Sequence, residues 1–257
     1  VRKALLVCIL LAAVGVGFTY GMGSDEDAVK TAKNDACKAV TFENDAFTHC
    51  VASPERHFIQ TIVHNADAEP LRTFEALEKE LGEKVKSAAF AVNGGMYDAD
   101  GNAIGLLIVD GAEIKSLNQN KGPGNFHLLP NGVFYGDSKG WHVATSAVYA
   151  ELQTGEVDFA TQSGPMLVID GALHPDIAHN GESRKIRNGV GIDPHGKAHM
   201  LISDSPVSFG RMARLYQKLG VQNALFLDGT VSALWRPAIG YSHRKHELGP
   251  MILVSKH

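Results

Sequence analysis

Two aspartates close apolar strand-like stretches: Asp228 follows ALFL and precedes a glycine, and Asp204 ends LISD. A carboxylate at the end of a buried strand is partly desolvated, which suits a proton donor or acceptor and equally a helix cap or an arginine partner. Two of them on neighbouring strand ends would meet the demand of glycoside cleavage, where one carboxyl group protonates the leaving group and the other attacks or activates water. The stretch SRKIRNGVGID (183–193) gathers Arg184, Lys185 and Arg187 ahead of a glycine-spaced apolar run. Arg187 and Asn188 fall between Ile186 and Val190, where strand alternation points one of the two inward. A guanidinium in that position needs an anion, supplied by a protein carboxylate or by a substrate phosphate. Arg184 and Lys185 read as a solvated turn, with either able to assist at an anion.

Polar loops set directly against apolar strands recur in NGGMYD (93–98), TQSGPM (161–166), SRKIRNGVG (183–191) and FLDGTVS (226–232). Glycine in such loops lets a ligand approach the backbone and frees amide N–H groups for anions, although each loop alone also reads as a tight turn. Asn93 ends a fully apolar run and is either a strand-end cap or a side chain aimed at ligand hydroxyls. The histidine pairs in HPDIAH (174–179), HGKAH (195–199) and HRKHE (243–247) lack zinc-site spacing, so they are expected at the surface and no metal or other cofactor is expected. The phosphate-binding, dinucleotide and serine-elbow fingerprints are all missing.

Short strands and turns must position these loops. HFIQTIVHN alternates as a strand does, and 73–85 reads as a helix capped by Thr73, with Phe74, Leu77 and Leu81 on one face and Gly82 at its end. SAAFAVNGGMY is a buried strand entering a Gly-Gly turn. Asp110-Gly111 and Asp170-Gly171 mark two-residue hairpins, and GVGIDPHGKAHMLIS a longer one. A second helix spans 208–219, with Met212, Leu215 and Leu219 as its stripe and Gly220 as its stop. Strands and helices do not alternate regularly, which excludes a doubly wound parallel sheet. The expected fold is α+β, a large mixed and mostly antiparallel sheet with many hairpins, covered by a few helices.

With 257 residues, 44% apolar and 20% charged, the chain can bury a full core. A formal charge of −4 excludes a general nucleic-acid binder. Arg2 and Lys3 precede an apolar run from Ala4 to about Phe18, the layout of a secretory signal and short of the roughly 20 residues a spanning helix needs. Residues 1–23 are therefore expected to be a signal peptide, with an uncleaved anchor as the alternative and the only membrane contact. Residues 24–257 are expected to form one periplasmic or secreted domain. In an exported chain Cys37 and Cys50, the cysteines outside that segment, would join as a disulfide; in a reducing compartment they would remain thiols.

The motifs NGGMY, GPGNF, FATQSGPMLVIDG, SRKIRNGVG and LFLDGTVSAL resemble, in order and over residues 37–254, the phosphodiester glycosidase family, most closely its exported bacterial branch. The resemblance implies an α+β fold with these loops around one pocket and hydrolysis of a sugar-1-phosphodiester without an obligatory metal. It implies roles for Asn93, Gly94 and Gly95, for Ser163 and Gly164 at a Gly-Pro strand start, for Arg187 and Asn188, and for Asp228, Gly229 and Ser232. Thr230 stands where a second glycine is common, and its side chain would narrow the pocket. The combined expectation is a small-molecule or glycan substrate bearing a sugar-1-phosphate diester. Arg187, aided by Arg184 or Lys185, would hold its phosphate. Asp228 and Asp204 would be the carboxylates, and Asn93, Gln162, Ser163 and Asn188 would orient the sugar. Two competing expectations are a hydrolase of ordinary glycosidic bonds and a non-catalytic glycan-binding envelope protein.

Overall fold

A computed structural model of the chain describes residues 36–152, 156–237, 239–242 and 246–257. The expected signal segment, and His243 of the last histidine pair, lie outside the described residues. From Ala36 onward the chain clusters as one unit. It begins with strands β1 (Cys37–Phe42), β2 (Asp45–Ala52) and β3 (His57–Ile62), then helix α1 (Phe74–Leu81) and strand β4 (Ala88–Asn93). Two hairpins, β5 (Leu107–Val109) with β6 (Ala112–Lys115) and β7 (Gly132–Asp137) with β8 (Gly140–Thr145), lead to the short helix α2 (Ser146–Glu151). Strands β9 (Val157–Ser163), β10 (Met166–Ile169) and β11 (Ala172–Leu173) precede the hairpin of β12 (Asn188–Ile192) and β13 (Ala198–Ser203). Helix α3 (Phe209–Lys218) and strands β14 (Asn223–Phe226), β15 (Leu234–Arg236), β16 (Gly240–Ser242) and β17 (Met251–Lys256) complete the chain.

The α+β expectation holds, but the strands divide into three sheets. Seven run in the order β1-β2-β13-β12-β14-β10-β11, five in the order β16-β15-β4-β17-β3 and five in the order β6-β5-β9-β7-β8. Every pairing between these strands is antiparallel. Thr73 caps its helix as expected, accepting from the Ala76 amide at 3.0 Å, and Ser208, expected as the first residue of the second helix, is its cap, accepting from the Arg211 amide at 3.2 Å. Asp110-Gly111 and Asp170-Gly171 adopt the positive φ that such hairpin turns require. Cys37 and Cys50 face each other across β1 and β2 and are joined as a disulfide. No helix among the described residues is long and apolar enough to cross a membrane.

Both faces of the seven-stranded sheet are covered. Val190, Met200, Ile202 and Leu225 face the other two sheets and meet Phe90, Phe134, Phe159 and Ile252. Phe47, Leu201, Ala224 and Phe226 face the other way, against Met212, Leu215 and Tyr216 of α3. Helix α1 lays Phe74 and Leu77 on the second sheet beside Trp235 and Leu253.

The α3-side face also holds a chain of titratable groups. His49 and His199, on paired strands β2 and β13, lie 3.0 Å apart from Nε2 to Nδ1, and His199 Nε2 meets Asp193 Oδ2 at 3.1 Å. Two of the histidines expected at the surface, His174 and His199, are instead buried; His199 sits on β13 and faces His49 of the neighbouring strand. Burial first, and His199 second, push His49 down to about 4 from its ordinary value of 6.5. The folded protein therefore holds His49 neutral, whereas the unfolded chain takes up its proton near pH 6.5. This contribution to stability is complete above that pH and is lost as pH falls toward 4, about 2–3 kcal/mol in all. Urea unfolding at pH 7, 6, 5 and 4 is expected to show this decline, with a shallower slope for His49→Gln; identical slopes would contradict the assignment.

Candidate active site

Strand order fixes where the polar loops meet. Because β13 and β14 are both antiparallel to β12, their C-terminal ends share one edge of the sheet with the start of β12. The start of β10 joins them there, where the Phe226 amide donates to Pro165 O at 3.0 Å. Asn93, at the end of β4, meets this edge from the second sheet. The loops 93–98, 161–166, 183–191 and 226–232 thus converge, as the sequence motifs imply.

At the junction the amides of Asn93 and Asn188, both buried, interlock. Asn188 Nδ2 donates to Asn93 Oδ1 at 2.9 Å, Asn93 Nδ2 donates to Asp228 O at 2.9 Å, and Asn93 Oδ1 also accepts the Ala233 amide at 2.9 Å. Ser232 Oγ donates to Asn188 Oδ1 at 3.1 Å. The Asp228 amide donates in turn to Gly94 O at 3.3 Å. Side chains from two sheets thereby hold the backbone of Asp228, whose own side chain is half-buried. Thr230 lies in the 3₁₀ turn Gly229–Val231, and its side chain is outside the described residues.

Tyr97 stands beside Asp228. Burial, and next the Asp228 carboxylate, push its hydroxyl up to about 12, while its OH donates to the Glu247 carbonyl. Arg72 lies over the Tyr97 ring at 5.3 Å and pairs with Glu247 Oε2 at 2.9 Å. A cavity of about 500 Å³ adjoins this group, lined among others by Thr73, Ala233, His246 and Glu247. Sequence reasoning missed Arg72, Tyr97 and Glu247, since nothing in LRTF (71–74) distinguishes one loop arginine from another.

Several expected residues are placed differently. Arg187 and Asn188 are both buried, on opposite faces of the sheet. The Arg187 guanidinium lies under α3, with Cζ 3.6 Å from the centroid of Phe209; Nε donates to Val207 O at 2.9 Å, and Nη2 to Ser183 O and Oγ at 2.9 and 3.1 Å. Its Nη1 makes no hydrogen bond to a described residue. Burial lowers its pKa to about 10, so it stays charged. Arg184 and Lys185 are exposed, and Arg184 lies 3.9 Å from Asp45. Asp204 is exposed and leans toward β2, where Thr48 Oγ1 donates to it at 3.3 Å. Strand β12 separates its strand from that of Asp228, so the two strand ends stand about 10 Å apart.

The glycines serve packing. The Gly94 amide is taken by Pro250 O at 2.7 Å and the Gly95 amide by Thr161 Oγ1 at 2.9 Å, so neither is free for an anion. A Cβ on Gly95 would lie 2.1 Å from Gln162 O, one on Gly164 2.8 Å from Phe126 O, and one on Gly229 2.3 Å from the Phe226 ring. Gln162 is buried and saturated: Oε1 accepts the Leu106 and Asn118 amides, and Nε2 donates to Asn118 O and Ser146 Oγ. Ser163 Oγ is buried and has no hydrogen-bond partner. Among the described residues no group of three or more His, Cys, Asp or Glu is arranged to hold a metal ion.

An antiparallel α+β scaffold thus gathers Asn93, Asn188, Ser232 and the half-buried Asp228 at one sheet edge. Residues 86–243 match the family described as Phosphodiester glycosidase. The uncharacterized protein YigE of Escherichia coli K12 is 35% identical over 205 residues, 79% of this chain and 80% of that one. The chain belongs to the phosphodiester glycosidase family. Its fold is similar to the catalytic domain of zebrafish N-acetylglucosamine-1-phosphodiester alpha-N-acetylglucosaminidase, auto-inhibited by its pro-peptide (TM-score 0.56, 15% identity, 86% of this chain and 81% of that one). A putative exported protein of Burkholderia pseudomallei K96243 is similar at TM-score 0.52 and 12% identity, over 82% of this chain and 74% of that one.

Two substitutions test the placement of these residues. Arg187→Ala empties a stacked position and orphans buried carbonyls, so it is expected to cost about 3 kcal/mol of unfolding free energy. Unchanged urea stability with lost turnover would instead make Arg187 a substrate ligand. Gly95→Ala forces its methyl into the β9 backbone and is expected to cost about 2–3 kcal/mol. Gly181→Ala, where the nearest atom is 3.7 Å away, serves as the near-neutral comparison.

Proposed function

We propose that the protein is an exported hydrolase that cleaves a sugar-1-phosphodiester between the anomeric carbon and the phosphate oxygen, without a metal ion. The observation that carries this reading is a half-buried Asp228 braced from two sheets while Asp204 turns away toward Thr48. Cleavage of an ordinary glycoside needs a carboxylic acid for a poor leaving group as well as a base or nucleophile. A phosphate monoester leaves as a stable anion with a second pKa near 6 and needs little protonation.

In this reading Asp228 stabilises the oxocarbenium-like carbon and takes a proton from the attacking water. The water oxygen bonds to the anomeric carbon, the bond from that carbon to the phosphate ester oxygen breaks, and its electron pair leaves with the phosphate. Asn93, Asn188 and Ser232 act through Asp228 by fixing its backbone. Family membership supports the reaction class. The Cys37–Cys50 disulfide supports an oxidising compartment, hence export.

Purified protein assayed on sugar-1-phosphodiesters and matching phosphate-free glycosides, with and without chelator, tests the reading. Reducing sugar is expected from the phosphodiesters alone, chelator having no effect. Asp228→Asn is expected to lower kcat/KM about 10²- to 10⁴-fold with an unchanged melting temperature. Equal cleavage of phosphate-free glycosides would point to an ordinary glycosidase. Saccharide binding by wild type and variant with no turnover by either would point to a glycan-binding module.

A further inference from the structure

With Arg187 committed beneath α3 and the Gly94 and Gly95 amides consumed, none of these expected groups is left to hold a phosphate at Asp228. Arg72 meets three separate conditions for a cation that could. Its guanidinium fork is half used: Nη2 pairs with Glu247, while Nη1 is buried without a hydrogen-bond partner. A buried guanidinium donor left unpaired is costly, and a bound water, ion or ligand is among the ways such a group is completed.

The backbone at Arg72 is strained as well. Its φ is +58°, and the Thr73 amide donates to Leu71 O at 2.7 Å, which closes a γ-turn of the rare positive-φ kind around Arg72. The Leu248 amide pins that turn by donating to Arg72 O at 2.7 Å. Strain held this firmly in a bulky residue collects at ligand sites. The surroundings also make room: a Cβ at Gly101 would lie 1.6 Å from Nη1, so glycine there admits the guanidinium.

The partner already present is a stand-in of the right charge. The Glu247 side chain is 71% exposed against 18% for Arg72, so water competes for the carboxylate far more than for the guanidinium. A phosphate has the oxygen spacing to engage both arms of the fork, whereas Glu247 engages one. Arg72 lies over Tyr97, whose loop also carries the Gly94 carbonyl that accepts the Asp228 amide, and one cavity is lined both by Thr73 and Glu247 and by Ala233 of the segment after Asp228.

We infer that Arg72 is the phosphate-binding residue of this site, its Nη1 and Nη2 gripping the substrate phosphate in place of Glu247. The inference rests on the phosphodiester reading for its substrate; Arg72 and Glu247 themselves lie outside the 86–243 stretch that matches the family.

Calorimetric titration of the full chain with inorganic phosphate and with glucose 1-phosphate tests it apart from turnover. Arg72→Ala is expected to weaken both about 10- to 100-fold, and Arg72→Lys, which keeps the charge but not the fork, by less. Glu247→Gln, at an exposed side chain, is expected to tighten both several-fold by releasing the fork. Cleavage of phosphodiesters by a wild type whose phosphate affinity is unmoved by these variants overturns the inference and leaves the proposed reaction standing. Phosphate binding lost in Arg72→Ala without cleavage of any diester supports Arg72 as an anion site and overturns the reaction. A wild type that binds neither anion overturns the inference, whatever it cleaves.

Discussion

The interlocked amides of Asn93 and Asn188 are the constraint on which the site depends. Both side chains are buried at the seam between the seven-stranded sheet and the sheet containing β4, where an unmade hydrogen bond costs far more than a made one gains. Each amide therefore dictates where its partners stand: Asn93 holds the Asp228 carbonyl and the Ala233 amide, and Asn188 takes the Ser232 hydroxyl. Two sheets built from distant parts of the chain are brought into one register by polar groups. The apolar cluster that includes Val92, Leu234, Val190 and Leu227 supplies the driving force but is less specific about register.

From that seam follows the division of labour between neighbours in sequence. Alternation sends Asn188 to the seam and Arg187 to the opposite face, and α3 closes over the second face with Phe209 against the guanidinium. Two consecutive polar residues are therefore buried for unrelated reasons. Asn188 organises Asp228, whereas Arg187 binds the 183–187 loop and the segment before α3 to the sheet through Ser183 O and Val207 O.

Local structure was legible where local chemistry sets it. Thr73 caps its helix, and Asp-Gly pairs turn their hairpins, because the relevant bonds span three or four residues. The hairpin of β1 and β2 was less visible, since its turn puts Glu43 and Asn44 at φ of 46° and 68°, and glutamate carries no turn signal. Strand order was not legible. Asp204 and Asp228 both end apolar strands, but β12 returns between those strands, and periodicity carries no information about which strands become neighbours. Nor could the pattern around Arg187 tell one covered face from two. The family motifs located the loops correctly and said little about which atoms in them are already bonded.

That last distinction decides what kind of recognition the site can perform. Glycine-rich loops bind anions when their amides point at open space. In this chain the Gly94 and Gly95 amides serve Pro250 and Thr161, and added methyls at 95, 164 or 229 would strike backbone or ring atoms. The glycines are small so that strands and loops can close on one another. A site whose backbone is sealed in this way must read charge and hydroxyls with side chains set around the seal. Among the described residues, the side chains around this seal come from separate segments: Asp228 after β14, Tyr97 after β4, and Arg72 with Glu247 on loops that meet through the bond from the Leu248 amide to Arg72 O. Changes in these outer loops can therefore alter what is bound while the interlocked seam, and the carboxylate it holds, stay unchanged.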